Sequence, residues 1–129
     1  MTQQEREQRA IARIDETATE LVALSSYLHE HPELGGQEQL AMKAVGEFLE
    51  DSGFTVTTDL SEEGKYPILK TALRADAGVP MTYDAPIDTA STGTADLATS
   101  YNMAFLGEYD ALPGLGHGCG HNLIAMMSV

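Results

Sequence analysis

Between Gly107 and Asn122 the chain places two carboxylates (Glu108, Asp110), two of its four histidines (His117, His121) and its only cysteine (Cys119), spaced by five glycines and Pro113. Thiolate, imidazole and carboxylate are the donors zinc prefers, at about 2.3 Å for sulfur and about 2.0–2.1 Å for nitrogen. His117, Cys119 and His121 alternate with glycine. In an extended segment residues two apart share a face, so the three can converge. Gly118 and Gly120 carry no side chain to obstruct a close approach of backbone to an ion. Glu108 and Asp110 can add oxygen ligands, or can hydrogen-bond the far nitrogen of a ligating histidine and fix its tautomer. Pro113-Gly114 supplies the bend that returns the chain towards the carboxylates.

A single cysteine excludes an intramolecular disulfide and the structural zinc sites built on cysteine pairs. A mixed Cys/His/carboxylate set suits a catalytic centre, where one coordination position stays open. Two other readings compete with it. One is a glycine-rich turn in which these side chains are incidental. The other is a thiol nucleophile, Cys119 activated by His117 or His121, for which the sequence offers no third group.

The elements that must position this loop are legible from periodicity. From Gln3 to Glu30, Ile11, Ile14, Ala18, Leu21, Val22 and Leu28 recur at helical spacing among Glu, Arg and Gln, and Pro32 fits the stop. After a Gly35-Gly36 turn a second helix is expected from Gln37 to Asp51, with Leu40, Ala41, Ala44, Val45, Phe48 and Leu49 as its apolar stripe and Gly53 as its terminator. Phe54 to Thr58 alternates and is rich in β-branched residues, a strand pattern. Ile68 to Ala75 is expected to form another short strand, Ala77 to Ser100 a loop, and Tyr101 to Leu106 a buried strand feeding the His/Cys loop. Asn122 is expected to cap a last helix opened by Leu123-Ile124-Ala125-Met126-Met127. This order suggests an α/β layer architecture, with the loop after Leu106 at the carboxyl end of a strand, where open α/β sheets bind ligands.

Bulk properties narrow the function classes. With 129 residues and 43% hydrophobic content the chain has the size of one domain, or part of one, and can build a modest core. Twenty acidic against seven basic residues give a formal charge of −13, which opposes nucleic acid and anionic membranes as partners. The balance is compatible with high salt, although a well-solvated acidic surface explains it as well. The polar opening MTQQEREQRA lacks the apolar core of a signal peptide, and no run is long enough to span a bilayer. The expected location is cytoplasmic.

The segment Gly107–Asn122, read GEYDALPGLGHGCGHN, is similar to the metal-binding segment of the amidohydrolase branch of the aminoacylase/carboxypeptidase zinc metallopeptidases. That branch includes hippurate hydrolase, auxin-conjugate hydrolases and p-aminobenzoyl-glutamate hydrolase, and the EYDALPG wording most resembles the last. Leu28-His29-Glu30-His31-Pro32-Glu33-Leu34, followed by Gln37-Glu38, resembles the family's opening signature, and the Phe48-Leu49 and Gly53-Phe54 spacing agrees with it. Residues 60–99 match no recognisable part of the family.

The resemblance implies an α/β fold, the N-terminal part of a phosphorylase/hydrolase-like catalytic domain with a mixed sheet flanked by helices. It implies metal-dependent hydrolysis of an amide bond in an N-acyl amino acid or a related small amide or dipeptide, at a centre of two divalent metal ions, zinc or manganese. Cys119 and His121 carry over as metal ligands. Glu108, where many relatives have Asp, joins them as a metal residue, and Asp110 matches the aspartate of the DALP element as a catalytic residue. No ligand role carries over to His117, and packing and capping account for His29 and His31. The metals would polarise the carbonyl and acidify a bridging water, whose proton a carboxylate base takes and passes to the leaving amine. The family's later elements, the glutamate base, further ligands and a distant histidine, are not identifiable here. The whole chain is therefore expected to be the N-terminal portion of a catalytic domain, without the rest or the smaller dimerisation domain that makes full-length relatives homo-oligomers. The alternative expectation is a catalytically inactive truncated remnant or an interaction module of the same fold.

Overall fold

In the computed structural model the first helix, α1, runs Gln3–Glu30, the bounds its periodicity predicts. Thr2 and Glu5 form a capping box: the Thr2 hydroxyl accepts from the Glu5 N–H at 3.2 Å, and the Glu5 carboxylate accepts from the Thr2 N–H at 2.7 Å. Two orphan donors of the first turn are thereby satisfied. The structure describes residues 2–77 and 104–129. Only the last turns of α1 enter the core. Leu28 is 1% exposed, whereas Ile11 and Ile14 are each 60% exposed.

The second helix, α2, spans Gln39–Asp51 and starts two residues later than the sequence pattern suggests, with Glu38 at its N-cap. Ala41, Val45 and Leu49, four apart, meet Leu28 and Ala125 to form the buried cluster. The helix ends as expected at Gly53, whose φ of 91° is the left-handed conformation that glycine adopts without strain. The Phe54 N–H bonds the Leu49 carbonyl at 3.0 Å and the Gly53 N–H bonds that of Glu50 at 2.9 Å, the paired bonds of a Schellman stop.

Strand β1, Thr55–Thr58, pairs antiparallel with β2, Leu73–Asp76, in the register Thr55 to Asp76 and Thr58 to Leu73. Gly46 of α2 lets the helix lie close to this pair: a Cβ there would meet Val56 and Leu73 side chains at 3.7 and 3.8 Å. The strand expected over Ile68–Ala75 is corrected in its first half. Pro67 opens a 3₁₀ turn, Pro67–Thr71, because its fixed φ suits a helical start and it has no N–H for a sheet. Before it, the Asp59 carboxylate accepts from the Ser61 hydroxyl and from the Ser61 N–H. The hydroxyl bond first, then the backbone bond, holds the Asp59 carboxyl below its usual range.

The last helix, α3, is His121–Ser128. Asn122 is not its cap. Gly120, at φ 81°, holds that position, and Asn122 lies inside the helix, buried, with its side-chain amide donating to the Ser25 hydroxyl at 3.1 Å. This bond and the Leu28–Ala125 contact join α3 to α1. The loop expected over Ala77–Ser100 falls almost entirely outside the described residues, as does the first half of the strand expected over Tyr101–Leu106. Ala104 to Leu106 form no strand, and Phe105 and Leu106 are 72% and 91% exposed rather than buried. The mixed sheet implied by the resemblance needs strands outside the described residues; within them the sheet is the single β1–β2 pair. Among the described residues no helix is long and apolar enough to cross a membrane.

Candidate metal centre

The two sequence motifs, far apart in the chain, meet in space. The Ala111 N–H donates to the Glu33 carbonyl at 2.7 Å, and Leu34 and Ala111 form a parallel bridge. Beyond it the loop folds back on itself. Leu112 and Gly116 exchange backbone hydrogen bonds of 2.9 and 3.1 Å around Pro113-Gly114-Leu115, so the expected bend at Pro113-Gly114 is present. Gly116 then packs against the Pro32 ring.

From here the path departs from the extended segment that alternation suggested. The Gly120 N–H bonds the His117 carbonyl at 2.9 Å and closes a turn, and Gly120 passes through the left-handed region into α3. The three side chains consequently go three ways. His117 is 6% exposed, Cys119 is exposed, and His121 is partly buried at the head of α3.

His121 gathers the carboxylates. Its Nδ1 lies 2.7 Å from Asp110 Oδ1, and its Nε2 lies 3.0 Å from Glu108 Oε2. Asp110 thus holds one nitrogen of the imidazole while the other faces Glu108. Both ring nitrogens face carboxylate oxygens. A neutral imidazole can donate from only one of them, so the arrangement is satisfied by an imidazolium or by a cation in place of the Nε2 proton.

That geometry tests the implied metal. Two ligands at about 2.0–2.1 Å from a tetrahedral ion stand roughly 3.3 Å apart, close to the His121–Glu108 separation. Imidazole and a nearby thiol are donors suited to zinc, and carboxylates suit manganese. Cys119 is not drawn into the pair: its Sγ lies 3.9 Å from the Asp110 carbonyl oxygen, and among the described residues no hydrogen bond joins it to an imidazole. Among those residues no three His, Cys, Asp or Glu side chains converge on one point. The structure therefore brings Glu108, Asp110 and His121 together and leaves Cys119 at the rim. A thiol nucleophile activated by histidine has no support in this arrangement.

His117 serves the scaffold. It hydrogen-bonds the Leu28 backbone, and its ring lies 6.4 Å from that of His29. Burial, opposed by the Leu28 bond, lowers its pKa, while its Nδ1 has no partner among the described residues. His31 stacks on Tyr27 with ring centroids 4.3 Å apart and places Nδ1 2.8 Å from the Tyr27 carbonyl, a packing role.

Three supporting residues stand in the quoted motifs with no role assigned to them from sequence. The Glu33 carboxylate caps α2 from outside, accepting from the Leu40 and Ala41 N–H groups at 3.1 and 2.9 Å. Buried Glu38 accepts from the Thr71 hydroxyl. The Tyr109 hydroxyl donates to the Thr71 carbonyl, and burial, helped by Glu38 and Glu33, pushes its phenol up to about 12.

No family model matches the chain. It is 37% identical over 121 residues to Xaa-Arg dipeptidase of Mus musculus, an alignment covering 94% of this chain and 25% of that protein. It is likewise 37% identical over 112 residues to Xaa-Arg dipeptidase of Homo sapiens, covering 87% of this chain and 23% of the relative. The chain spans about a quarter of the length of the curated relatives it matches. That likeness runs over nearly the whole of this chain.

Proposed function

We propose that this chain carries part of a metal centre that hydrolyses the amide bond of a dipeptide or an N-acyl amino acid. The observation that carries the reading is the His121 ring held between Asp110 and Glu108. Asp110 fixes the tautomer through Nδ1, so that Nε2 is presented outward as a donor. Glu108, His121 and, from the rim, Cys119 would hold the metal, with two divalent ions, zinc or manganese, as the complement. Bound there, a divalent ion would polarise the scissile carbonyl and lower the pKa of a water molecule. The formal charge of −13 favours the approach of cationic substrates, in keeping with the Xaa-Arg specificity named for the relatives.

The α/β catalytic domain, the homo-oligomer and the cytoplasmic location belong to the same proposal. A second reading, an inactive remnant or interaction module of this fold, is favoured by the position of Cys119 away from the His121–Glu108 pair and by the exposure of Phe105, Leu106 and Met127.

The test is zinc and manganese stoichiometry of the purified chain beside Cys119→Ser and His121→Asn, followed by assay of Xaa-Arg dipeptides and N-acyl amino acids. Bound metal lost in both variants, with turnover, supports the hydrolase. Metal bound without turnover, or no metal at all, supports the second reading.

A further inference from the structure

Glu108 and Asp110 reach the two nitrogens of one imidazole, and Tyr109 between them goes elsewhere: its ring packs against the core cluster and its hydroxyl donates to the Thr71 carbonyl. We infer that Tyr109 is a positioning residue that aims Glu108 at His121, an inference that rests on the reading of His121 as a metal ligand. The fastening point is firm. Thr71 is 2% exposed, ends the 3₁₀ turn, and donates its hydroxyl to Glu38, which is 7% exposed.

The carboxylates differ in what else holds them. Asp110 lies between two pins, the Tyr109 ring on one side and the Ala111–Glu33 backbone bond on the other. Asp110 is held further by its own carbonyl, which lies 3.1 Å from His121 Nδ1. Glu108 has the Tyr109 pin on one side; on the other the nearest bond is two residues back, where the Ser128 hydroxyl donates to the Leu106 carbonyl at 3.0 Å, and its side chain is 64% exposed. Releasing Tyr109 therefore loosens Glu108 more than Asp110. A general loosening of the fold would disturb both, so the asymmetry is the signature of positioning.

Tyr109→Phe removes the hydroxyl and keeps the ring in the core. The experiment reads the His121 imidazole nitrogens by NMR in the isotope-labelled, metal-free chain, for the unaltered protein, Tyr109→Phe and Glu108→Gln. The expected result is that Tyr109→Phe moves the Nε2 resonance to its Glu108→Gln position while Nδ1 stays unchanged. Zinc affinity should weaken roughly tenfold, the lower end of what outer-shell partners contribute. Unaltered resonances at both nitrogens, or equal movement at both, would overturn the inference. The NMR readout needs no metal, so failure of the unaltered chain to bind zinc refutes the metal reading and is separable from failure of the positioning role. Tyr109→Leu, which removes the ring as well as the hydroxyl, should reproduce the Nε2 shift; a Leu variant with a native Nε2 would equally count against it.

Discussion

The cap that Glu33 places on α2 can be removed without touching the core. Its two carboxylate oxygens accept from Leu40 and Ala41 at 3.1 and 2.9 Å, while Glu38 at the N-cap makes no side-chain cap bond of its own. Glu33→Ala leaves both N–H groups without a protein acceptor. Loss of a helix cap costs about 1 kcal/mol, and loss of a negative charge beside the helix N-terminus adds about 0.3–1 kcal/mol. The expected destabilisation is therefore about 1–2 kcal/mol. Glu33→Gln keeps one acceptor and no charge and should lose roughly half as much. The assay is urea unfolding followed by far-ultraviolet circular dichroism, with the m-value unchanged so that the midpoint shift reports stability. Part of the effect is electrostatic and should shrink in high salt. A Glu33→Ala midpoint within about 0.3 kcal/mol of the unaltered chain, or Gln and Ala variants of equal cost, would refute the assignment of Glu33 as the cap.

Other perturbations have calculable outcomes. Leu28→Ala empties the centre of a five-residue core cluster and should cost about 3–4 kcal/mol in the same unfolding assay; a loss below about 1 kcal/mol would place the core elsewhere. The Tyr109 phenol ionises near 12 in the folded chain against 10.0 unperturbed, so its contribution is intact below pH 10 and declines as pH rises through 12. Discounted for partial exposure, the decline is about 1–2 kcal/mol, and Tyr109→Phe should remove that limb from the stability–pH curve. Gly120→Ala meets no atom within 4 Å but forces φ 81° on an L-residue, so thermal unfolding should show a loss of about 1–2 kcal/mol from backbone strain alone.

What the sequence made legible was local. The apolar spacing of α1 and the Gly53 stop of α2 depend on near neighbours, and both appear where periodicity puts them. The β1 pattern from Phe54 to Thr58 loses only its first residue. Misreadings arose where a distant partner decides. Asn122 looks like a cap, but Ser25 of α1 draws its amide inward and Gly120 takes the turn. His117, Cys119 and His121 alternate with glycine, yet glycine also permits the reversal at Gly120 that separates them. The carboxylates were legible as part of the segment, but that both reach one imidazole was not, because it depends on where the turn at Gly120 sends the His121 ring. Glu33 and Tyr109 were missed because capping across a turn and a phenol–carbonyl bond to Thr71 leave no periodic trace.

The bond from Asn122 to Ser25 links positions 97 residues apart, and it sits one residue from His121. Bringing the ends of such a stretch together carries an entropic cost of about 4 kcal/mol in the logarithmic term alone. The His121 ring meets its two carboxylates within one short segment, but the Asn122 bond that seats the head of α3 on α1 spans the long stretch. The ring's own pairs are therefore local, while the site's place on the fold depends on a distant contact. Weakening that contact, as in Asn122→Ala, should loosen the seat of α3 before it parts the ring from its carboxylates.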